Sequence, residues 1–447
     1  MLNYNSSFFV TGGAFVLRKP SARRALASYI DSQERVDIKV FIILLMLNIF
    51  GIIMIYSASS YRCSLSPKYN YDNMYFAKKQ IEYVILSFIG MLILRVCNYN
   101  NFNILNFSKI PLLKKIKGLK NVKISMSWFI YLLSICMTLT LYTPLAVSAK
   151  GAVRWIKIGS MSLQVAEVSK ILIILWIGTR ISRYTKNKSR YRILWFIWLP
   201  AGASALFLCV KSSNLSTLII LCGIIFGMTI IMTPFNKTHI AVFAAAAGGV
   251  AVVINHIYSI INSNTAFKNF RYGRIGAWLA PEKFSNYESY QSLQSLYAVA
   301  SGGFSGKGLG NSVQKLSRIP EAQNDMIFAV ICEELGILGA FIMLGMFLYL
   351  IFQLFKIASR AETIFGRAVV TGIAIHISLQ VIVNIFVVLM IFPNTGVSLP
   401  FISYGGSAVI FTMAEMGIAL SVDREHFRAK VERKAKQIIE EKELPGY

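Results

Sequence analysis

Long apolar runs separated by polar or charged segments make up most of the chain. A membrane-spanning helix needs roughly 20 mostly apolar residues. Runs near that length predict ten spans, at about residues 38–59, 81–97, 127–147, 166–182, 193–210, 214–233, 239–262, 326–355, 366–391 and 402–421. The runs are continuous and lack the alternation of apolar and polar residues that barrel strands show. The pattern therefore predicts an all-α, polytopic integral membrane protein.

The composition supports this prediction and excludes other classes. The chain has 447 residues, of which 55% are hydrophobic and 15% are charged, and its mean hydropathy is +0.57. An ordinary soluble domain carries about 25% charged residues. A soluble enzyme, a disordered chain and a disulfide-framed secreted domain are therefore excluded. The six cysteines show neither a disulfide framework nor the spacing of a metal site.

The positions of the basic residues predict the orientation. Lysine and arginine number 46 against 20 acids, a net charge of +26 that could serve nucleic acid, anionic lipids or a phosphorylated substrate. Segment 109–123 carries six lysines and no acid, and segment 183–192 carries five basic residues. Basic loops of this kind lie on the cytoplasmic side, which indicates membrane lipids as partners and no nucleic acid. With ten spans, both termini are then predicted to be cytoplasmic.

The spans divide the chain into a membrane domain and two tails. Residues 1–37 are predicted to form a cytoplasmic N-terminal tail, residues 38–421 the membrane domain, and residues 422–447 a cytoplasmic C-terminal tail. The apolar stretch 8–17 precedes its basic cluster, so no cleaved signal peptide is predicted. Between the seventh and eighth spans, segment 263–325 forms a large extracellular loop, far longer than the typical connection of about 4–6 residues. Functional residues are often carried by such loops.

Four blocks of polar and glycine-rich sequence lie in or beside the predicted external loops. They are Arg154-Trp155-Ile156 with residues 164–170, residues 290–315, residues 319–336, and residues 393–407. Their order and spacing resemble the SEDS family (shape, elongation, division and sporulation), membrane glycosyltransferases that polymerise lipid II into peptidoglycan strands. Residues 308–315, Gly-Leu-Gly-Asn-Ser-Val-Gln-Lys, are more similar to the division and sporulation branch than to the elongation branch.

The resemblance implies a catalytic role for Asp325, where the family has an essential aspartate. A carboxylate can serve as general base for the attacking sugar hydroxyl. From the residues alone, helix capping is an open alternative, because Asn324 and Asp325 precede an apolar run and both types are favoured N-caps. The family usually has His-Thr where this chain has Gln323 and Asn324. Gln and Asn can replace hydrogen bonds but not a titrating imidazole, so proton transfer here depends more heavily on Asp325.

Basic residues of the external loops could hold the pyrophosphate leaving group, with Arg binding it bidentately. The candidates are Arg154, Lys157, Arg271, Arg274, Lys307 and Arg318. Lipid headgroups are the alternative partner for each, but Arg154 matches a family motif and adjoins the interfacial residue Trp155. The resemblance adds further candidates for substrate binding, namely Trp155, Glu167, Lys170, Gln291, Gln294, Ser295, Gln314, Lys315, Glu321 and Ser403. A local ion pair is the alternative for Glu167 and Lys170, which are three residues apart on a helix.

Other polar residues lie inside the spans and are predicted to be structural. Glu333 and Glu334 should pair with internal partners, because acids within a span are costly. Interhelical hydrogen bonds are predicted for Gln380, Asn384 and Glu415.

The glycines of segment 301–310 are spaced too closely for a regular helix. They lack the Lys-Ser/Thr ending of a nucleotide-binding loop. The segment is therefore predicted to be mobile and to face the substrate.

Three functions remain open: a lipid II polymerase, a lipid II flippase, and a division scaffold whose site has decayed. A flippase should concentrate polar groups near the membrane midplane, whereas here they lie in external loops and at span ends. The polymerase is the favoured hypothesis. The resemblance further implies a bacterial cytoplasmic membrane, a class B penicillin-binding protein and other division proteins as partners, and Mg or Mn as a divalent cation at the pyrophosphate.

Overall fold

The computed structural model describes residues 35–106, 123–149, 152–159, 161–184, 190–212, 215–234, 237–262, 270–281, 289–316 and 319–443. Within them the chain forms these helices: α1 (Arg35–Ser64), α2 (Tyr75–Val96), α3 (Met126–Leu139), α4 (Val165–Tyr184), α5 (Arg190–Ser212), α6 (Leu215–Met232), α7 (Lys237–Asn262), α8 (Phe270–Leu279), α9 (Tyr290–Gly302), α10 (Ile327–Arg360), α11 (Ile364–Val388) and α12 (Gly406–Glu443). The strands are β1 (Ile104–Asn106), β2 (Lys123–Ser125), β3 (Ala146–Ala149), β4 (Ala152–Ile158) and β5 (Met161–Gln164).

Each predicted span coincides with a helix, α1 to α7 and α10 to α12. In the described residues, five of these helices are both long and apolar enough to cross a membrane, namely α1, α6, α10, α11 and α12. The predicted all-α, multi-pass class is thereby confirmed. The number of ten spans, the extracellular loop and the boundaries of the tails stay predictions.

The predicted third span, residues 127–147, is helical over only part of its length. Helix α3 ends at Leu139, and one 3₁₀ turn later Thr143 is extended, with φ −93° and ψ 164°. The reason is Pro144, because a residue before proline is driven out of the helical region. The chain continues into an antiparallel sheet of β3, β4 and β5, a small departure from the all-α prediction.

The predicted loop between the seventh and eighth spans contains two helices, α8 and α9. Helix α9 lies against α10 so closely that a Cβ atom on Gly302 would be 1.9 Å from the carbonyl oxygen of Cys332. Glycine at this position is therefore required by the contact between the two backbones.

Helix α10 is interrupted at Gly336, which has φ 67° and ψ −167°. Residues 303–316, here called the docked segment, bind to this interruption through their backbone. The amides of Ile337 and Leu338 donate to Gly303 and Phe304 carbonyls at 3.0 and 3.2 Å. In return, the amides of residues 307 and 308 donate to the carbonyls of residues 333 and 334, both at 2.9 Å.

These contacts give the glycines a different role from the predicted one. A Cβ atom on Gly306, at φ +77°, would be 2.2 Å from the carbonyl oxygen of Glu334. Gly302 and Gly306 thus allow the backbone to approach α10, and the segment that was predicted to be mobile is hydrogen-bonded to that helix.

Replacing Gly302 with Ala is expected to lower the free energy of unfolding by about 1–3 kcal/mol, the usual cost of overpacking. Gly345 is the matched control, since it is also helical but a Cβ atom there would meet nothing within 4 Å. Gly345→Ala should be neutral or stabilise by up to about 1 kcal/mol. Thermal unfolding of the detergent-purified variants tests this, and equal midpoints for the two would refute the close contact.

Helix α12 runs without a break from the predicted tenth span into the predicted C-terminal tail. It begins at Gly406, four residues after the predicted start of the span at 402. Beyond the span, His426 and Arg433 both contact Glu362 in the turn between α10 and α11. The tail therefore continues the helix over at least part of its length and is fastened to the membrane domain.

Candidate functional site

Asp325 lies one residue before the N-cap of α10. The helix begins at Ile327, and its N-cap is Met326, whose side chain makes no capping hydrogen bond. The alternative in which Asn324 or Asp325 caps this helix is therefore wrong. The carboxylate of Asp325 instead belongs to a group of polar side chains contributed by other segments.

Three segments meet at that carboxylate. Gln291 of α9 donates from Nε2 to Asp325 Oδ1 at 3.4 Å. On the other side lies Gly396, where a Cβ atom would be 3.6 Å from Asp325 Oδ2 and 3.9 Å from Arg154 Nη1. Gly396 has φ +72°, a conformation that favours glycine. Its missing side chain leaves the carboxylate and the guanidinium facing the same space.

Arg154 is held by the small sheet and by α5. It lies within β4, and its Nε donates to the carbonyl oxygen of Ser212 at the end of α5, at 3.1 Å. The structure thus brings together the two residues that the sequence favoured most, although 171 positions, from 154 to 325, separate them.

Helix α11 fixes the backbone of the site. Asn384 Nδ2 donates to the carbonyl oxygens of Asp325, at 2.8 Å, and Val397, at 2.7 Å. One turn earlier, Gln380 Nε2 donates to the carbonyl oxygen of Ser398 at 3.1 Å. The predicted bond between helices is present for Gln380, which accepts from Lys170 of α4. Asn384 instead joins the last external loop to the start of α10.

Lys170, paired with Glu167, donates a hydrogen bond to the side chain of Gln380. Lys170 Nζ is 2.8 Å from Glu167 Oε2 and 3.2 Å from Gln380 Oε1, and both charged side chains are buried. The local ion pair, the alternative reading of these two residues, is thus present. The contacts of Glu167 and Lys170 thus help to hold Gln380 in place, and their predicted role in substrate binding stays a prediction.

The residues at the family's His-Thr positions contribute to the turn before α10. Asn324 Nδ2 donates to Glu321 Oε2 at 3.0 Å, and the carbonyl of the buried Gln323 accepts from the amide of Tyr404 at 2.9 Å. Among the described residues, the buried atoms Asn324 Oδ1 and Gln294 Oε1 have no hydrogen-bond partner.

Lys307 and Lys315 were predicted to bind substrate, but the structure pairs both with acids of α10. Lys307 Nζ is 2.7 Å from Glu333 Oε1, which also accepts from the amide of Val313 at 3.1 Å. Lys315 Nζ is 2.6 Å from Glu334 Oε1, and its side chain is only 4% exposed. The predicted internal partners of the two glutamates are confirmed, and these contacts give Lys315 a structural role, while its part in substrate binding stays a prediction.

Ser57 of α1 completes the second ion pair and was missed in the sequence. Its Oγ lies 2.8 and 2.7 Å from the two carboxylate oxygens of Glu334. A serine in an apolar run, 277 positions before its partner, gives no signal of this contact. Gly396 was also missed, and its only signal was its place within the last polar block.

Other predicted residues make hydrogen bonds within their own segments or with α10. Ser403 Oγ is buried and accepts from the amide of Leu399 at 2.7 Å, which closes a turn. Ser295 Oγ donates within α9 to the carbonyl of Gln291, and the amide of Gln314 donates to Glu333. Lys157 is exposed on β4, two residues after Trp155. The side chains of Arg271, Arg274 and Arg318 lie outside the described residues.

The internal pair predicted at Glu415 is also present. His376 Nδ1 of α11 lies 2.8 Å from Glu415 Oε2 of α12, and both side chains are buried. This contact joins the last two helices, as the sequence indicated for Glu415.

The described residues offer a divalent cation few ligands. No three His, Cys, Asp or Glu side chains among them come together as a potential metal site. Mg²⁺ usually needs only one or two carboxylates, with substrate phosphates supplying further oxygens. Asp325, with Glu321 nearby in sequence, is the donor set here. The cation stays a prediction, and the chemistry below does not depend on it.

Comparison with known proteins places the chain among cell-wall proteins. The model of the FtsW, RodA and SpoVE family, described as a cell cycle protein, matches residues 38–428. A probable peptidoglycan glycosyltransferase FtsW of Trichlorobacter lovleyi is 32% identical over 410 residues, covering 91% of this chain and 95% of the relative. Stage V sporulation protein E of Bacillus subtilis is 30% identical over 397 residues, covering 87% and 97%.

The fold has a solved counterpart. One chain, from a study of how a peptidoglycan synthase complex coordinates polymerization and crosslinking, matches with a TM-score of 0.64 and 19% identity. The match covers 87% of this chain and 97% of the solved one. At this identity the likeness establishes the fold alone.

Proposed function

The chain belongs to the FtsW, RodA and SpoVE family, and from this premise we propose that it is a peptidoglycan glycosyltransferase that polymerises lipid II. The observation that carries the proposal is the meeting of Asp325 and Arg154 beside Gly396. The reaction needs a base for the incoming hydroxyl and a cation for the departing pyrophosphate. These two side chains supply one of each in a single space.

In the proposed reaction, the 4-hydroxyl of the acceptor sugar attacks the anomeric carbon of the donor. The bond from that carbon to undecaprenyl pyrophosphate breaks as the new glycosidic bond forms, and inversion of an α-linked donor gives a β-1,4 glycan. Asp325 takes the hydroxyl proton, a role typically worth about 10²–10⁴-fold. Arg154 faces the leaving pyrophosphate, whose developing charge a guanidinium can bind with two parallel hydrogen bonds.

Arg154→Ala is expected to reduce the polymerisation rate more than Arg154→Lys, because lysine keeps the charge but loses the planar fork. Initial rates with labelled lipid II, at several substrate concentrations, provide the measurement. Unimpaired activity in both variants would leave Arg154 as a contact for lipid headgroups. Lys157→Ala is the control, since Lys157 is an exposed basic residue of the same strand.

Purified protein incubated with labelled lipid II in vesicles distinguishes the three hypotheses. Polymer supports the enzyme, and transfer between leaflets without polymer supports the flippase. Neither product, with a transpeptidase partner present, supports a division scaffold. The altered residues Gln323 and Asn324 are the reason to retain the scaffold as an alternative.

The proposal extends to location and partners. The active side is the outer face of a bacterial cytoplasmic membrane, with both termini in the cytoplasm. A class B penicillin-binding protein, which would crosslink the strands, and other division membrane proteins are the proposed partners. Fusing a reporter active only in the cytoplasm to residue 447 tests the topology, and an inactive reporter would refute it.

A further inference from the structure

A cavity of about 480 Å³ lies beside the C-terminal end of α1, away from the residues that surround Asp325. Its walls are α1, Asn73 in the following loop, and the docked segment between Leu309 and Leu316. This volume is typical of a small-molecule site. None of the reaction steps above uses it.

Helix α1 lines the cavity with serines and tyrosines as well as with Ile53, and Leu309 and Leu316 of the docked segment add apolar surface. Ser57, Ser60, Tyr61 and Ser64 lie at positions i, i+3, i+4 and i+7 and therefore share one face of the helix. Tyr61 is 43% exposed. Serine hydroxyls donate and accept hydrogen bonds, and a tyrosine offers an apolar ring with a polar tip. These side chains suit a ligand that has apolar C–H surfaces for the ring and many hydroxyl groups for the serines.

The cavity carries little net charge. Among the residues that the structure describes, Lys315 is the only charged one that lines it, and its ammonium is compensated by Glu334 at 2.6 Å and contacts Ser57 at 2.9 Å. A phosphate or a nucleotide would need an uncompensated cation. An uncharged saccharide needs none, so the charge balance favours it.

We propose that this cavity is a saccharide-binding site that holds the glycan strand as it grows. The inference rests on the proposed function for the identity of the strand. The ion pair of Lys315 with Glu334 connects the cavity to α10, the helix preceded by Asp325. Nine residues separate Asp325 from Glu334, about 13 Å at 1.5 Å per residue. A strand bound here would remain close to the reacting residues between additions.

Direct binding is tested with chitotetraose, a soluble β-1,4 tetrasaccharide of N-acetylglucosamine, by saturation-transfer NMR on the detergent-purified full chain. The Tyr61→Leu/Ser64→Leu variant should bind about tenfold more weakly, through lost hydrogen bonds and a lost ring face. Tyr349→Leu is the matched control, because Tyr349 is similarly exposed, at 40%, and lies outside the cavity lining. Wild-type protein without saturation transfer, or equal binding by both variants, would overturn the proposal.

Two further variants keep the result interpretable. Asp325→Asn should bind chitotetraose as the wild type does, so a failure of the catalytic proposal would leave the binding result standing. If the double variant unfolds, Ser64→Leu alone replaces it, since Ser64 is exposed. Loss of binding in Asp325→Asn but not in the cavity variant would move the saccharide to the Asp325 site and overturn the inference.

The length of the product identifies which saccharide the cavity holds. A strand site predicts shorter glycans from the cavity variant, measured by gel electrophoresis, at an unchanged initial rate of lipid II consumption. A raised KM for lipid II with unchanged glycan length would assign the cavity to the precursor and overturn the strand proposal.

Discussion

Replacing Asp325 with Asn is expected to reduce polymerisation by at least about 10²-fold, the lower end of what a general base contributes. Asparagine has nearly the same size, and its oxygen can still accept the hydrogen bond from Gln291. It cannot take a proton from the acceptor hydroxyl. Because Asp325 is not the N-cap of α10, expression and thermal unfolding should stay close to wild type.

The control for this experiment is Asp72→Asn. Asp72 is an acid whose ion pair with Lys78, at 2.8 Å, lies on the surface, so its removal should leave the rate unchanged. Near-normal glycan synthesis by Asp325→Asn would eliminate Asp325 as the base. A wild-type protein that is inactive even with its transpeptidase partner would instead refute the enzymatic proposal.

Lys315→Met is expected to lower the free energy of unfolding by about 3–5 kcal/mol, the usual cost of removing one partner from a buried ion pair. Glu334 is fully buried, and without Lys315 its carboxylate would depend on the hydroxyl of Ser57. Methionine is chosen because it retains a long, flexible side chain that can fill the same volume. Thermal unfolding in detergent provides the measurement.

A second substitution distinguishes the loss of the ion pair between Lys315 and Glu334 from the loss of a contact between Lys315 and substrate. Lys315→Met/Glu334→Gln removes both charges, while glutamine can still accept from Ser57, so most of the stability should return. If Lys315 instead contacts the pyrophosphate, the single variant would lose activity at unchanged stability, and the second substitution would restore nothing. That outcome would support the substrate-binding role that was predicted for Lys315 from the sequence.

The lysines of the docked segment show where prediction from sequence succeeded and where it failed. The sequence required that Glu333 and Glu334 find internal partners, because an unpaired acid in a span is costly. It did not identify those partners as Lys307 and Lys315, which lie in a motif that resembles a substrate-binding one. The choice depends on the interruption of α10 at Gly336, which brings the docked segment against the helix.

Asp325 illustrates the same limit for the site. Its position before an apolar run favoured helix capping, and only the resemblance favoured catalysis. The structure starts the helix two residues later and turns the carboxylate toward Gln291 and Gly396. A helix that began one residue earlier would make Asp325 its N-cap. Local sequence rarely defines a helix boundary to within one residue.

The family resemblance pointed to Asp325 and Arg154, whereas the chain's own pattern determined the membrane class and the helical segments. Those features depend on the length and composition of continuous runs, which a chain carries locally. Only the tertiary structure decided which polar groups meet, because such pairs join distant positions, as Ser57 and Glu334 do across 277 residues. Their pairing is set by how closely segments of the backbone pack, and glycines such as Gly302 and Gly306 permit that approach through the side chain they lack.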